Sequence, residues 1–177
     1  MHSKTQLATL AALLGPTVAL TAYAEVYLSD VQAAEVLFPH QVFSKETVEL
    51  SNEELKFIAS QAKQKVRAKK LAVLKAKSGD VVIVDQVFGK HEYITYAVGI
   101  NKEGRIQGIE ILEYRESYGH QIRREAWRKQ FVNKDKSSPL EFDKDIKNIS
   151  GATISCSHVT KGVQRVLATY EQIKNRL

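Results

Sequence analysis

The sequence predicts an α+β fold in which helices pack against an antiparallel sheet. Three consecutive segments have the residue pattern of β-strands and are separated by short glycine-containing turns, and helical patterns precede and follow them. The chain of 177 residues is long enough to bury a core without disulfides, and its single cysteine excludes an internal one. We therefore expect one modest globular unit behind a short N-terminal leader.

Residues 1–24 are typical of a secretory signal peptide. Lys4 gives a weakly positive start, the segment 7–22 is almost continuously apolar, and Ala22-Tyr23-Ala24 fits a small-x-small cleavage site. A retained membrane anchor is the alternative, because the apolar run approaches the ~20 residues that a spanning helix needs. Both interpretations predict an extracytoplasmic protein, either periplasmic or secreted, and the second makes it membrane-associated.

The segment 25–79 is predicted to be mainly helical. Ser29 or Asp30 can cap a helix that runs to about Leu37, and an extended piece follows at 41–50. Ser51 with Glu54 three residues later forms a capping box. We expect the helix that starts there to continue to about residue 74.

This second helix would carry the most basic stretch of the chain, which consists of Lys63, Lys65, Arg67, Lys69 and Lys70. Such a stretch is either a docking face for an acidic partner or an anionic membrane, or simply a solvated helix surface. Nucleic acid is not expected as a partner, because no recognition motif accompanies the charge.

The segment 80–177 contains the predicted sheet and the remaining helices. Strands are expected at 80–88, 93–100 and 105–112, since apolar and aromatic residues there run together or alternate with polar ones. A helix is predicted at 121–131, then a polar loop, then a long helix at 155–174.

The run Ser150-Gly151-Ala152-Thr153 lies just before this last helix and places a threonine hydroxyl on a turn that glycine permits. The N-terminus of a helix holds a phosphate well, because its unpaired N–H groups and the positive end of its dipole point outward. A serine and threonine capping turn without any ligand is the alternative that the four residues alone allow.

The run resembles the flavinylation motif of the FMN-binding domain found in subunits of the sodium-translocating NADH:quinone reductase and the related Rnf complex. A second stretch, Glu116-Ser117-Tyr118-Gly119, resembles the Glu-Thr-Pro-Gly turn of the same family. Trp127, Gln130-Phe131 and Lys134 resemble family positions that follow this turn. The sequence has Tyr118 where the family has proline.

The resemblance implies that residues 80–177 have the fold of the FMN-binding domain. It also implies that Thr153 carries FMN through a phosphoester bond, installed by a flavin transferase that uses FAD as the donor. The implied cofactor site consists of Ser150, Gly151, Ala152, Thr153 and Ser155 together with Glu116, Ser117, Tyr118 and Gly119. Tyr118 either stacks on the flavin or is a surface residue, and Cys156 is expected to be buried.

Other chemistry finds little support in the sequence. The histidines lack the spacing of metal ligands or of a covalent haem site, so we predict no metal site. No nucleophile with an obvious base is present, so we predict no catalytic residue. A dinucleotide-binding Gly-x-Gly-x-x-Gly motif is also missing. We therefore expect an electron-transfer protein or subunit rather than a free-standing enzyme.

The sequence does not identify the redox partners of such a carrier; cytochromes and a membrane electron-transfer complex are the candidates. The alternative function is a binding or sensing module of the same fold that carries no flavin. That module would use the basic helix to bind a partner or a membrane surface.

Overall fold

The structure, a computed structural model, describes residues 25–64, 66 and 68–177. The predicted signal peptide, Lys65 and Arg67 therefore lie outside the described residues. The helices are α1 (Asp30–Leu37), α2 (Asn52–Ala62), α3 (Glu125–Arg128) and α4 (Thr153–Ile173). The strands are β1 (Glu25–Val26), β2 (Phe43–Glu49), β3 (Lys70–Ala76), β4 (Val81–Phe88), β5 (Tyr93–Ile100) and β6 (Ile106–Tyr114). Short 3-10 helices occur at His120–Arg123, Lys129–Phe131 and Lys174–Arg176.

The strands form one six-stranded sheet in the order β1-β6-β5-β4-β3-β2, and every neighbouring pair is antiparallel. The three predicted strands are confirmed as β4, β5 and β6. The sheet is larger than predicted, because β2 and β3 extend it on one side and the two-residue strand β1 extends it on the other. The predicted α+β class is confirmed.

Helices cover both faces of the sheet. The side chains of a strand point alternately to its two faces, and both faces carry buried apolar side chains. On one face, Leu37 of α1 belongs to a buried cluster with Val82 and Ala97. On the other face, Ile83 belongs to a larger buried cluster with Val163 of α4. The sheet is thus the middle layer of three.

Both predicted starts of the N-terminal helices are confirmed. Ser29 caps α1 and Ser51 caps α2, and each serine forms a capping box with the residue three positions later, Gln32 and Glu54 respectively. Within the described part of the chain, no helix is both long enough and apolar enough to span a membrane.

The predicted extent of the second helix is wrong. Helix α2 ends at Ala62, and Lys63 follows it in a left-handed conformation with φ of 49°. Residues 70–74, which were expected to end the helix, belong to strand β3, because β2 and β4 supply backbone partners on both of its sides. Lys69 and Lys70 consequently do not lie on a helix: they are 3.4 and 3.8 Å from the carboxylate of Glu49 on strand β2.

Two other helix boundaries also differ from the prediction. The helix expected at 121–131 consists of three short pieces, because Arg124 has an extended conformation with ψ of 127° between the first two. The C-terminal helix starts at Thr153 rather than Ser155, so Thr153 is the first residue of α4. The predicted phosphate acceptor therefore lies in the helix rather than ahead of it.

Candidate functional site

The two motifs, which are separated in the sequence, meet at the N-terminus of α4. The hydroxyl of Tyr114, the last residue of β6, lies 2.8 Å from Ser155 Oγ and donates to the carbonyl oxygen of Tyr118 at 2.5 Å. Gly119 has φ of +97°, and a Cβ at this position would lie 2.5 Å from the Tyr114 hydroxyl oxygen and 2.7 Å from Ser155 Oγ. The close packing of the turn against α4 therefore requires a glycine.

Glu116 fastens the same turn to the loop between β4 and β5. Its Oε1 accepts hydrogen bonds from the backbone N–H groups of His91 at 2.6 Å and Glu92 at 3.1 Å. The carboxylate thus has a structural role in the turn. Ser117 and Tyr118 are exposed, and 84% of Tyr118 is accessible to solvent.

The run Ser150-Gly151-Ala152-Thr153 leaves the side chain of Thr153 at the surface. Thr153 is exposed, and Gly151 has φ of +83° with no heavy atom within 4 Å of where its Cβ would lie. The N-cap of α4 is Ala152, which provides no side-chain hydrogen bond, in contrast to the serine caps of α1 and α2. This helix start therefore retains backbone N–H groups that no side chain caps.

Residues at the family-like positions 127 and 130 hold the backbone of Lys147, six residues before Thr153, in place. Trp127 Nε1 donates to the carbonyl oxygen of Lys147 at 2.9 Å, and Gln130 Oε1 accepts from the N–H of Lys147 at 2.7 Å. Trp127 is buried and packs edge-on against Phe131, with ring centroids 5.2 Å apart. Lys134 Nζ is 2.8 Å from the carboxylate of Asp145. We refer to the bonds from Trp127 and Gln130 as the Lys147 clamp.

Two residues of the site were not among the predicted site residues. Tyr114 joins the motifs, and Asn148 Nδ2 donates to Thr153 Oγ1 at 3.1 Å. A tyrosine that ends a strand and an asparagine in a loop are common, so neither carries a sequence signal. His158, one turn beyond Thr153, bonds through Nδ1 to the backbone oxygen of Phe88 at 2.6 Å.

Burial affects two titratable groups behind the site. Burial raises the pKa of the Tyr114 hydroxyl, and the hydrogen bond with Ser155 only partly offsets this. Burial also raises the pKa of the Cys156 thiol, so the thiol stays protonated at neutral pH. The predicted burial of Cys156 is confirmed. Across the described ranges, no cluster of three or more His, Cys, Asp or Glu side chains is arranged to hold a metal ion.

Comparison with known proteins identifies a family model that matches part of the chain. No curated protein matches the chain significantly. Residues 89–168 match the family model of the FMN-binding domain. The matched part runs from the β4–β5 loop into α4, and it includes both motifs and the Lys147 clamp. The chain therefore contains an FMN-binding domain, which is matched over residues 89–168.

Proposed function

We propose that this protein carries FMN covalently, as a phosphoester on Thr153 Oγ, and transfers electrons outside the cytoplasm. The observation that carries the proposal is the accessible hydroxyl of Thr153 at the start of α4, within the region that matches the FMN-binding domain. Because Thr153 is exposed, a transferase can reach its hydroxyl in the folded protein.

The surroundings of Thr153 fit a phosphate. The first N–H groups of α4 lack intrahelical acceptors, and the helix dipole favours an anion at this end. Ala152 adds no side chain that competes for these groups, and the position of Gly151 leaves space beside the turn. Ser150 is exposed next to this space, whereas Ser155 is buried and bonded to Tyr114, so Ser155 shapes the site from behind.

When bound, FMN accepts two electrons and can pass them on singly, which suits a protein that links two redox partners. A covalent bond keeps the cofactor on a protein that works outside the cytoplasm. The proposal requires a flavin transferase as a partner, and it leaves cytochromes or a membrane electron-transfer complex as candidate redox partners. The chain's net charge of +6 favours partners with an acidic docking surface.

The alternative function, a module without flavin that binds through a basic helix, loses its main support. Helix α2 ends at Ala62, and Lys69 and Lys70 are near Glu49 instead of lining a helix. We therefore propose that the protein is a flavin carrier. The test below distinguishes this function from the module without flavin.

The test is co-expression of the full chain with a flavin transferase in a secreting host, followed by denaturation and measurement of retained flavin. The wild type should stay yellow, and peptide mass mapping should place FMN on Thr153. Thr153→Ala should be colourless but folded, because an exposed methyl and hydroxyl contribute little to stability. Ser157→Ala is the matched control and should remain yellow.

A colourless wild type would favour the module without flavin. Flavin on Ser150, Ser155 or Ser157 would move the attachment site, and a Thr153→Ala protein that stays covalently yellow would refute it. N-terminal sequencing of the same material tests export, since cleavage after Ala24 should give a chain that starts at Glu25.

A further inference from the structure

The amide of Asn148 lies beside the hydroxyl of Thr153 and is only partly used by the protein. Its Nδ2 is 3.1 Å from Thr153 Oγ1, and its Oδ1 is buried without a hydrogen-bond partner among the described residues. The contact with Thr153 is therefore the one hydrogen bond that this side chain makes with the described residues.

The two ends of an asparagine amide have almost the same shape, so the group can also lie in the reverse orientation. In that orientation Oδ1 accepts the hydrogen of the Thr153 hydroxyl, and Nδ2 occupies the buried position. The hydroxyl lone pairs are at the same time free to attack.

The backbone next to Asn148 is held firmly. The Lys147 clamp binds both the N–H and the carbonyl oxygen of the preceding residue, through Gln130 and Trp127. The side-chain amide of Asn148 is therefore attached to a backbone segment that is held in place, so it can orient the hydroxyl of Thr153.

We propose that Asn148 is a positioning residue for the attachment of FMN to Thr153. The inference rests on the proposed function. In the reaction, Thr153 Oγ forms a bond to the flavin-side phosphorus of FAD, the bridging P–O bond breaks, and AMP leaves with the electron pair. The hydroxyl proton passes to a base of the transferase or to water, and nothing is oxidised or reduced. Asn148 Oδ1 accepts the hydrogen of the hydroxyl and thereby orients it.

The experiment measures initial rates of flavin incorporation with the full chain, a purified flavin transferase and FAD, read as flavin fluorescence of the denatured protein. Asn148→Leu keeps a similar size but removes both hydrogen-bonding atoms, and it should lower kcat by about tenfold or more with little change in the KM for the acceptor protein. Asn148→Asp keeps an acceptor but adds negative charge near the phosphate, so it should also be slow.

Asn52→Leu is the matched control, since Asn52 is exposed on α2. Its rate should equal that of the wild type. Thermal melts accompany each variant, and Asn148→Ala replaces the leucine variant if the latter does not fold.

The outcomes separate this inference from the proposed function. If the wild type is not labelled, the proposed function fails. If the wild type is labelled and Asn148→Leu has a kcat within about twofold of it, the positioning role is refuted while the attachment stands. An increase in KM alone would also refute it, because that result means that Asn148 serves transferase recognition.

Discussion

The hydroxyl of Tyr114 lies 2.8 Å from Ser155 Oγ in the interior of the protein, and it joins residues that are 41 positions apart in the sequence. Because Tyr114 gives its single hydrogen to the carbonyl of Tyr118, Ser155 is the donor in the bond between the two hydroxyls. One side chain thus connects the end of β6, the turn at Gly119 and the first turn of α4. The relative position of the two motifs depends on this contact.

Removal of the hydroxyl in Tyr114→Phe should lower the free energy of unfolding by ~1–3 kcal/mol, because it leaves the Ser155 hydroxyl and the Tyr118 carbonyl without their partner. Urea denaturation of the chain measures the change. Ser155→Ala and the double variant complete a double-mutant cycle. The effects should be clearly less than additive, and strict additivity would show that the bond contributes nothing.

The glycines of the two motifs should respond differently to the same substitution. Gly119 and Gly151 both have positive φ, at 97° and 83°, so an alanine brings a similar backbone strain of ~1–2 kcal/mol at either position. Only at Gly119 would the new Cβ also collide with the Tyr114 hydroxyl and Ser155. Gly119→Ala should therefore lower the thermal midpoint more than Gly151→Ala. Equal midpoints would contradict the close packing at Gly119.

The sequence predicted the elements whose signals are local. The capping box at Ser51 was visible because both partners lie within four residues, and a cap was expected at Ser29 or Asp30. Strand β4 was visible from its apolar run, and β5 and β6 from their alternation. The motifs around Thr153 and Gly119 were found through resemblance to a family. That the two motifs lie close together in space was implied by the resemblance to that family and not by the residue pattern.

The misassigned elements are those that depend on distant partners. Residues 70–76 form strand β3 because β2 and β4 pair with them. Helix α2 ends at Ala62, where Lys63 adopts a left-handed conformation, and the sequence carries no local signal for this end. The roles of Tyr114 and Asn148 likewise arise from contacts across the fold. Propensity cannot predict such contacts, because they exist only after the chain has packed.

Asp80 should make stability depend on pH in the acidic range. Burial alone would raise the pKa of its carboxyl, but hydrogen bonds from Gln41, Ser78 and the backbone N–H of Lys102 outweigh it and hold the pKa below its usual value. The ionised form therefore stabilises the fold. This contribution is complete above the unfolded pKa of about 3.9, and it is lost as the pH falls through the lower folded pKa.

Asp80→Asn should consequently be less stable than the wild type by ~1–2 kcal/mol at pH 7, and the difference should shrink below about pH 4. Urea denaturation at pH 7 and at pH 3 measures both values. Asp143→Asn, at an exposed position, is the matched control and should show little difference at either pH. A deficit of Asp80→Asn that grows in acid would reverse the inferred direction of the pKa shift.

The Lys147 clamp should be visible in hydrogen exchange. Gln130 Oε1 accepts the N–H of Lys147 at 2.7 Å, so this amide should be protected although it lies in a loop. Gln130→Ala should raise its exchange rate about fivefold, as expected for the loss of ~1 kcal/mol of local stability. Gln130→Glu keeps an oxygen acceptor at this position and should retain most of the protection, although it loses the bond from Nε2 to the Trp127 carbonyl. Equal exchange of Lys147 in the wild type and in Gln130→Ala would show that the segment before Thr153 is held by other contacts.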